Sequence, residues 1–167
     1  AWYENDGSQN FTERIVSTAA IDAENVFAAD VDGDGDIDVL SASSGDDKIA
    51  WYENDGSQNF TERVIVDRIN NSGNDTSADG AESVFAVDVD GDGDIDVLSA
   101  SEHDHKIAWY ENDGDQNFTP RVISTSANGA ESVFASDVDG DGDMDVLSAS
   151  MNDDKIAWYE NDGSENF

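Results

Sequence analysis

The sequence has no cysteine, which excludes the disulfide framework on which many small secreted domains rely. If such a chain is cross-linked, metal ions are the remaining means. Proline occurs once, at Pro120, so punctuation of the chain is left to glycine. Basic residues are scarce, 7 against 40 acidic ones, for a formal charge of −33. That balance excludes nucleic acid as a default partner, because phosphates are repelled, and argues against an anionic membrane surface. It favours cations or a saline medium. No apolar run is long enough to insert into a membrane, and no signal-peptide pattern is present. What remains is ample for a core: 167 residues, 37% hydrophobic and 9% aromatic, unlike a disordered acidic tail.

What is there is repetition. "AWYENDG" stands at 1–7, 50–56, 108–114 and 157–163, and "DVDGDGDxDVLSAS" at 30–43, 88–101 and 137–150. Trp2, Trp51, Trp109 and Trp158 are spaced 49, 58 and 49 residues apart. The unit is therefore 49 residues, with a nine-residue insertion in one copy. The insertion falls in "INNSGNDTSADG" (69–80), whose Gly, Asn and Ser predict a surface loop.

Each unit reads as four short strands. In the first full copy these are "VFAADV" (26–31), "DIDVLSAS" (36–43), "KIAWYEN" (48–54) and "FTERVIV" (60–66), with tight turns at "SGDD" and "NDGS". No segment has a helical period. Both faces of the strands are apolar, as required of sheets that stack on neighbours from both sides. The fold class is all-β: tandem four-stranded antiparallel blades of β-propeller type, with a linear β-repeat array as the alternative. The expected division is 1–25 (second half of a unit), 26–83 (a unit with the insertion), 84–133 (a unit) and 134–167 (three strands of a unit). "FTERIVS" (11–17) is a candidate fourth strand for the last unit. Three blades are too few for a propeller, so a piece of a longer chain or a protomer completed by further copies is expected.

The aspartate phrase sets five like charges on alternate positions, at 30, 32, 34, 36 and 38, separated in part by Gly33 and Gly35. Such charges repel unless something cancels them. A loop permitted by the two glycines wraps the carboxylates around a point, and Ca²⁺ takes six to eight hard oxygens at about 2.3–2.6 Å. Mg²⁺ fits less well because it demands a tight octahedron. An EF-hand requires a bidentate Glu at position 12 between helices; here that position is Ser41, Ser99 or Ser148, and the flanks are strands. The nine-residue form D-x-D-x-D-G-x-x-D fits instead.

With "VFAxDVDGDGDxDVLSAS" followed by "KIAWYENDG", the chain resembles the FG-GAP/VCBS-type repeats, the family that includes the calcium-binding blades of integrin α-subunit propellers. "VFA" and "SAS" stand where that family's name-giving FG and GAP segments would be. The resemblance implies three calcium sites. The first has side-chain ligands Asp30, Asp32, Asp34 and Asp38, with the Asp36 carbonyl. The second has Asp88, Asp90, Asp92 and Asp96, with the Asp94 carbonyl. The third has Asp137, Asp139, Asp141 and Asp145, with the Asp143 carbonyl.

Weaker signals have structural explanations beside the functional ones. Asn10, Asn59 and Asn117 open N-x-S/T sequons, as do Asn70 and Asn74 in the insertion; each "NFT" also reads as a turn residue, a packing residue and a strand start. His103 and His105 pair at i, i+2 for a transition metal or simply for a solvated turn. The "WYE" aromatics suit either a sugar pocket or packing between blades. No nucleophile–base pair or phosphate loop is visible, so an enzyme is not expected. The expected function is a calcium-binding structural and interaction module of a secreted or cell-surface protein, associating with copies of itself or other repeats; a glycan-binding lectin or adhesin module is the alternative.

Overall fold

The computed structural model describes residues 1–68 and 77–167. The described residues form β-strands and no helix. A hairpin of β1 (Trp2–Asn5) and β2 (Phe11–Arg14) is followed by three sheets. The first contains β3 (Ala23–Ala29), β4 (Asp38–Ser43), β5 (Lys48–Asn54) and β6 (Phe60–Val66). The second contains β7 (Ala81–Val87), β8 (Asp96–Ser101), β9 (Lys106–Asn112) and β10 (Phe118–Ser124). The third contains β11 (Ala130–Ser136), β12 (Asp145–Ser150) and β13 (Lys155–Tyr159). Within each sheet, strands adjacent in sequence pair antiparallel, consistent with blade-like repeats.

The repeated sequence produces repeated register. Leu40 faces Trp51, Leu98 faces Trp109 and Leu147 faces Trp158 across the central pair of each sheet. The first strand bulges at the same place in each copy, between Ala23 and Asn25, Ala81 and Ser83, and Ala130 and Ser132. The turn after the second strand is tied by Ser43 Oγ donating to Asp46 at 2.6 Å, with Ser101–Asp104 and Ser150–Asp153 in the other copies.

Some boundaries differ from those predicted. The first strand runs 23–29 rather than 26–31, and the second begins at Asp38 rather than residue 36. Aspartate side chains take the N–H groups that a longer ladder would need: Val31 donates to Asp38 Oδ2 at 3.0 Å and Asp36 donates to Asp34 Oδ1 at 2.8 Å. Most of the insertion, including Asn70 and Asn74, lies outside the described residues. Its last residues are not the exposed loop expected, because Ala78 and Gly80 are buried and the Ser77 carbonyl accepts from Lys106 Nζ at 2.8 Å. Phe11–Arg14 pairs with β1, in the register Trp2↔Arg14, rather than with the last sheet, which keeps three strands.

The core lies between units. At each of the two joints the front face of one sheet packs on the back face of the next. Leu40, Ala42, Ile49 and Trp51 pack in one buried cluster with Val84, Ala86, Val97, Ala108 and Tyr110. One unit later, Leu98, Ala100, Ile107 and Trp109 cluster with Val133, Ala135 and Val146. Phe27, Phe85 and Phe134 stack across the three sheets at centroid separations of 4.7 and 4.6 Å. Burying one such Leu or Ile side chain contributes about 1.5–3 kcal/mol, so the stability of each unit depends on its neighbours.

Candidate metal centre

Each candidate centre is the crossing from the first strand of a sheet to the second. In the first copy the backbone leaves β3 at Ala29 and re-enters at Asp38, the start of β4. Gly33 and Gly35 take φ of +73° and +96°, and the equivalent glycines of the other copies take +79° and +101°, then +85° and +104°. Nothing lies within 4 Å of a Cβ added at any of them. The glycines are therefore required by backbone conformation, not by crowding.

The coil gives the five aspartates different positions. Asp30, Asp32 and Asp38 bring one carboxylate oxygen each within 4.8 Å of one another; Asp88, Asp90 and Asp96 do the same, as do Asp137, Asp139 and Asp145. Asp34, Asp92 and Asp141 stand outside these close sets. Their amides donate to Asp32, Asp90 and Asp139 at 3.2, 3.2 and 3.1 Å. The side chains of Asp36, Asp94 and Asp143 lie elsewhere, over the glycine of the following "NDG" turn. A Cβ on Gly114 or Gly163 would fall 2.6 Å from the Asp94 or Asp143 carboxylate, and one on Gly56 would strike Asp36.

Asp38 is fully buried and accepts from two backbone amides, Val31 at 3.0 Å and Asn54 at 2.8 Å. Asp96 accepts likewise from Val89 and Asn112, and Asp145 from Val138 and Asn161. The same asparagines return a side-chain amide to the carbonyls of Ile37, Ile95 and Met144. The aspartate thus ties the loop to the end of the third strand. This role of Asn54, Asn112 and Asn161 went unread in the sequence, although their constant separation of 16 residues from the aspartate carried it.

The electrostatics oppose ionisation at three of these aspartates, Asp32, Asp90 and Asp96. Burial, reinforced by neighbouring carboxylates, pushes Asp32 and Asp90 above the usual aspartate range. Burial raises Asp96, in the central unit, to about 7 against the two N–H donors that favour its charge. Asp145 sits in the last unit; burial works against its charge there too, but donation from Asn161 and Val138 holds it below the ordinary value. Asp30 Oδ2 accepts from Gly35 at 3.0 Å, while its Oδ1 is buried with no hydrogen-bond partner among the described residues. A buried carboxylate oxygen without a donor, converging with two further carboxylates, fits a hard divalent cation by donor chemistry and charge.

The other expected sites are differently placed. His103 Nδ1 lies 3.4 Å from Asp79, whereas His105 Nδ1 lies near the Glu102 carbonyl and the Gly129 amide. Neither belongs to a metal-sized group among the described residues. Asn10, Asn59 and Asn117 are exposed, and their side-chain amides close the "NDG" turns on Asp6, Asp55 and Asp113 at 2.8, 2.7 and 2.9 Å. Those bonds hold the three aspartates below their usual pKa. Trp51, Tyr52, Trp109 and Tyr110 are at most 3% exposed; Trp51, Trp109 and Tyr110 fill the spaces between units, and Tyr52 lies beside Trp2.

Comparison with known proteins follows the repeats. The model of the FG-GAP-like repeat matches residues 1–41, 30–99 and 88–148. No curated protein matches the chain. Solved structures do match, among them a lectin from Agrocybe aegerita described for specific recognition of non-reducing terminal N-acetylglucosamine. It is 18% identical at a TM-score of 0.56, over 88% of this chain and 41% of the lectin chain. At that identity the likeness shows the fold, and this chain spans less than half the lectin's length.

Proposed function

We propose, because this chain belongs to the FG-GAP-like repeat family, that it is a calcium-binding structural and interaction module working outside the cell or at its surface. Asp30, Asp32 and Asp38 hold the first ion, with Asp34 completing the set from the turn; the equivalent residues hold two more. The observation that carries this reading is the buried, partnerless Asp30 oxygen amid converging carboxylates. The ion supplies a fixed positive charge that ties the first strand, the loop and the second strand together. Nothing in this role requires catalysis; the module acts by binding.

Isothermal titration calorimetry of the chelator-treated protein tests this. Three calcium equivalents per chain are expected, with Mg²⁺ binding more weakly. No heat above dilution would remove the reading.

A second reading, glycan binding, is favoured by one place in the structure. A cleft of about 310 Å³ between the first and second sheets is lined by Trp51, Arg63, Asp115, Gln116 and Asn117. Its amides, guanidinium and carboxylate suit the hydroxyls of a sugar. A glycan array in calcium buffer tests it; no bound sugar would set it aside.

A further inference from the structure

Asn112 serves two of the aspartate loops at once. It ends β9 in the second unit and is buried. Its backbone amide donates to Asp96 Oδ1 at 2.8 Å and so holds a carboxylate of the second site. Its side-chain amide has two hydrogens to give. One goes to the Ile95 carbonyl, in the loop of its own unit, at 3.1 Å. The other crosses the joint to the carbonyl of Val31, in the loop of the first unit, at 3.4 Å in a buried contact. Val31 stands between Asp30 and Asp32, two of the carboxylates that converge at the first site, and its amide donates to Asp38, the third. Its side chain is 2% exposed and clusters in the first joint with Val84, Ala86, Val97 and Tyr110 of the second unit. The two loops also face one another, with Asp30, Val31 and Gly33 lining a common cleft with Gly93, Asp94 and Ile95. From the Asp38 carboxylate to the Asp96 carboxylate the connection is thus two residues, Val31 and Asn112, and three hydrogen bonds.

We infer that Asn112 is a positioning residue shared by the first and second sites, and that it makes the two fill with calcium cooperatively; the inference rests on calcium occupying these loops. Three carboxylate oxygens within 4.8 Å of one another repel unless a cation offsets them. In the empty first loop that repulsion works against the closed coil, and with it against the buried position of Val31. A bound ion removes the repulsion, so Val31 stays in the joint and its carbonyl holds the Asn112 side chain. Asn112 in turn keeps its backbone N–H on Asp96, so the second site is formed before its own ion arrives. The coupling is reciprocal, as linkage requires. An ion at the second site fixes Asp96, hence Asn112, hence Val31. Burial gives the link its strength. An exposed hydrogen bond exchanges with water at little cost, whereas breaking one between buried groups leaves both without water to replace it.

Calorimetric calcium titrations test this in an Asp137→Ala background, where the third site is disabled. Adding Asp30→Ala isolates the second site, and adding Asp88→Ala isolates the first. The product of the two single-site binding constants is the value for independent sites. The protein with both sites intact is expected to exceed that product about fivefold or more. Asn112→Ala removes the side-chain amide and keeps the backbone donor to Asp96, and is expected to bring the excess back toward unity. The excess is a ratio, so a merely structural role, which weakens each site alone, leaves it unchanged. A cooperative melt in calcium shows that each variant folds. If Asn112→Ala does not, Val31→Ala, which pares the side chain packed in the joint, takes its place with the same expected loss of excess. Absence of calcium heat in every variant removes the calcium reading and this inference with it. Calcium heat with the two sites filling independently, or an excess that survives the substitution, overturns the coupling alone.

Discussion

The five aspartates of one loop are equal in the sequence and unequal in the fold, and substitutions should separate them. Asp30→Ala removes a converging carboxylate, so the calcium stoichiometry measured by calorimetry should fall from three to two. Asp36→Ala should leave it at three, because that side chain lies over the Gly56 turn. Asp38→Ala should cost more stability than Asp30→Ala even in chelator. It strands the buried Val31 amide, at about 1–3 kcal/mol for a group left unsatisfied, and the partly buried Asn54 amide; urea melts in EDTA check this. The aspartate spacing and the glycines were enough to locate the loop. They were not enough to single out Asp38, because anchoring depends on an asparagine 16 residues away across a strand pair. The strand limits were misplaced for a related reason: side-chain acceptors replaced ladder partners at residues 31 and 36.

At the scale of the strand, one residue type at one repeat position meets two environments. Ile107 on β9 is fully buried between units, whereas Ile156 on β13 is 79% exposed. Ile107→Ala should cost about 2–5 kcal/mol, the range for emptying a packed site, and Ile156→Ala less than about 0.5 kcal/mol. Chemical denaturation of both variants checks the contrast. The strand set and its two apolar faces were legible because a period of two repeats three times over. The burial of Ala78 went unread, although the next unit repeats it: TSA recurs at 125–127, where Ala127 is buried and Lys155 donates to the Ser126 carbonyl as Lys106 does to that of Ser77.

At the scale of the whole molecule, the surplus of acid governs behaviour in solution. Three divalent ions raise the charge of −33 by only six, so self-repulsion persists in the loaded protein. Chelation should lower the melting temperature, with each independent site worth about 2.7 kcal/mol when calcium is 100-fold above its Kd. Differential scanning calorimetry with and without EGTA checks this. The calcium-dependent part should shrink as pH falls. A bound ion holds its carboxylates ionised, below their unfolded pKa, so the stability they contribute is present at neutral pH and is lost as protons compete for the same oxygens. At fixed calcium, the melting temperature at about pH 4.5 should approach that of the chelated protein, whereas at pH 7 the two should stay apart. The repeat unit and the candidate sites were visible in the sequence at this scale. Which faces are covered was not, since identical residues are buried or exposed according to what stands beside them. That identity has a genetic corollary. A recombination event that deletes or duplicates 49 residues in frame rejoins the same front to the same back, so the length of such a gene is free to drift while every joint in its product stays ready-made.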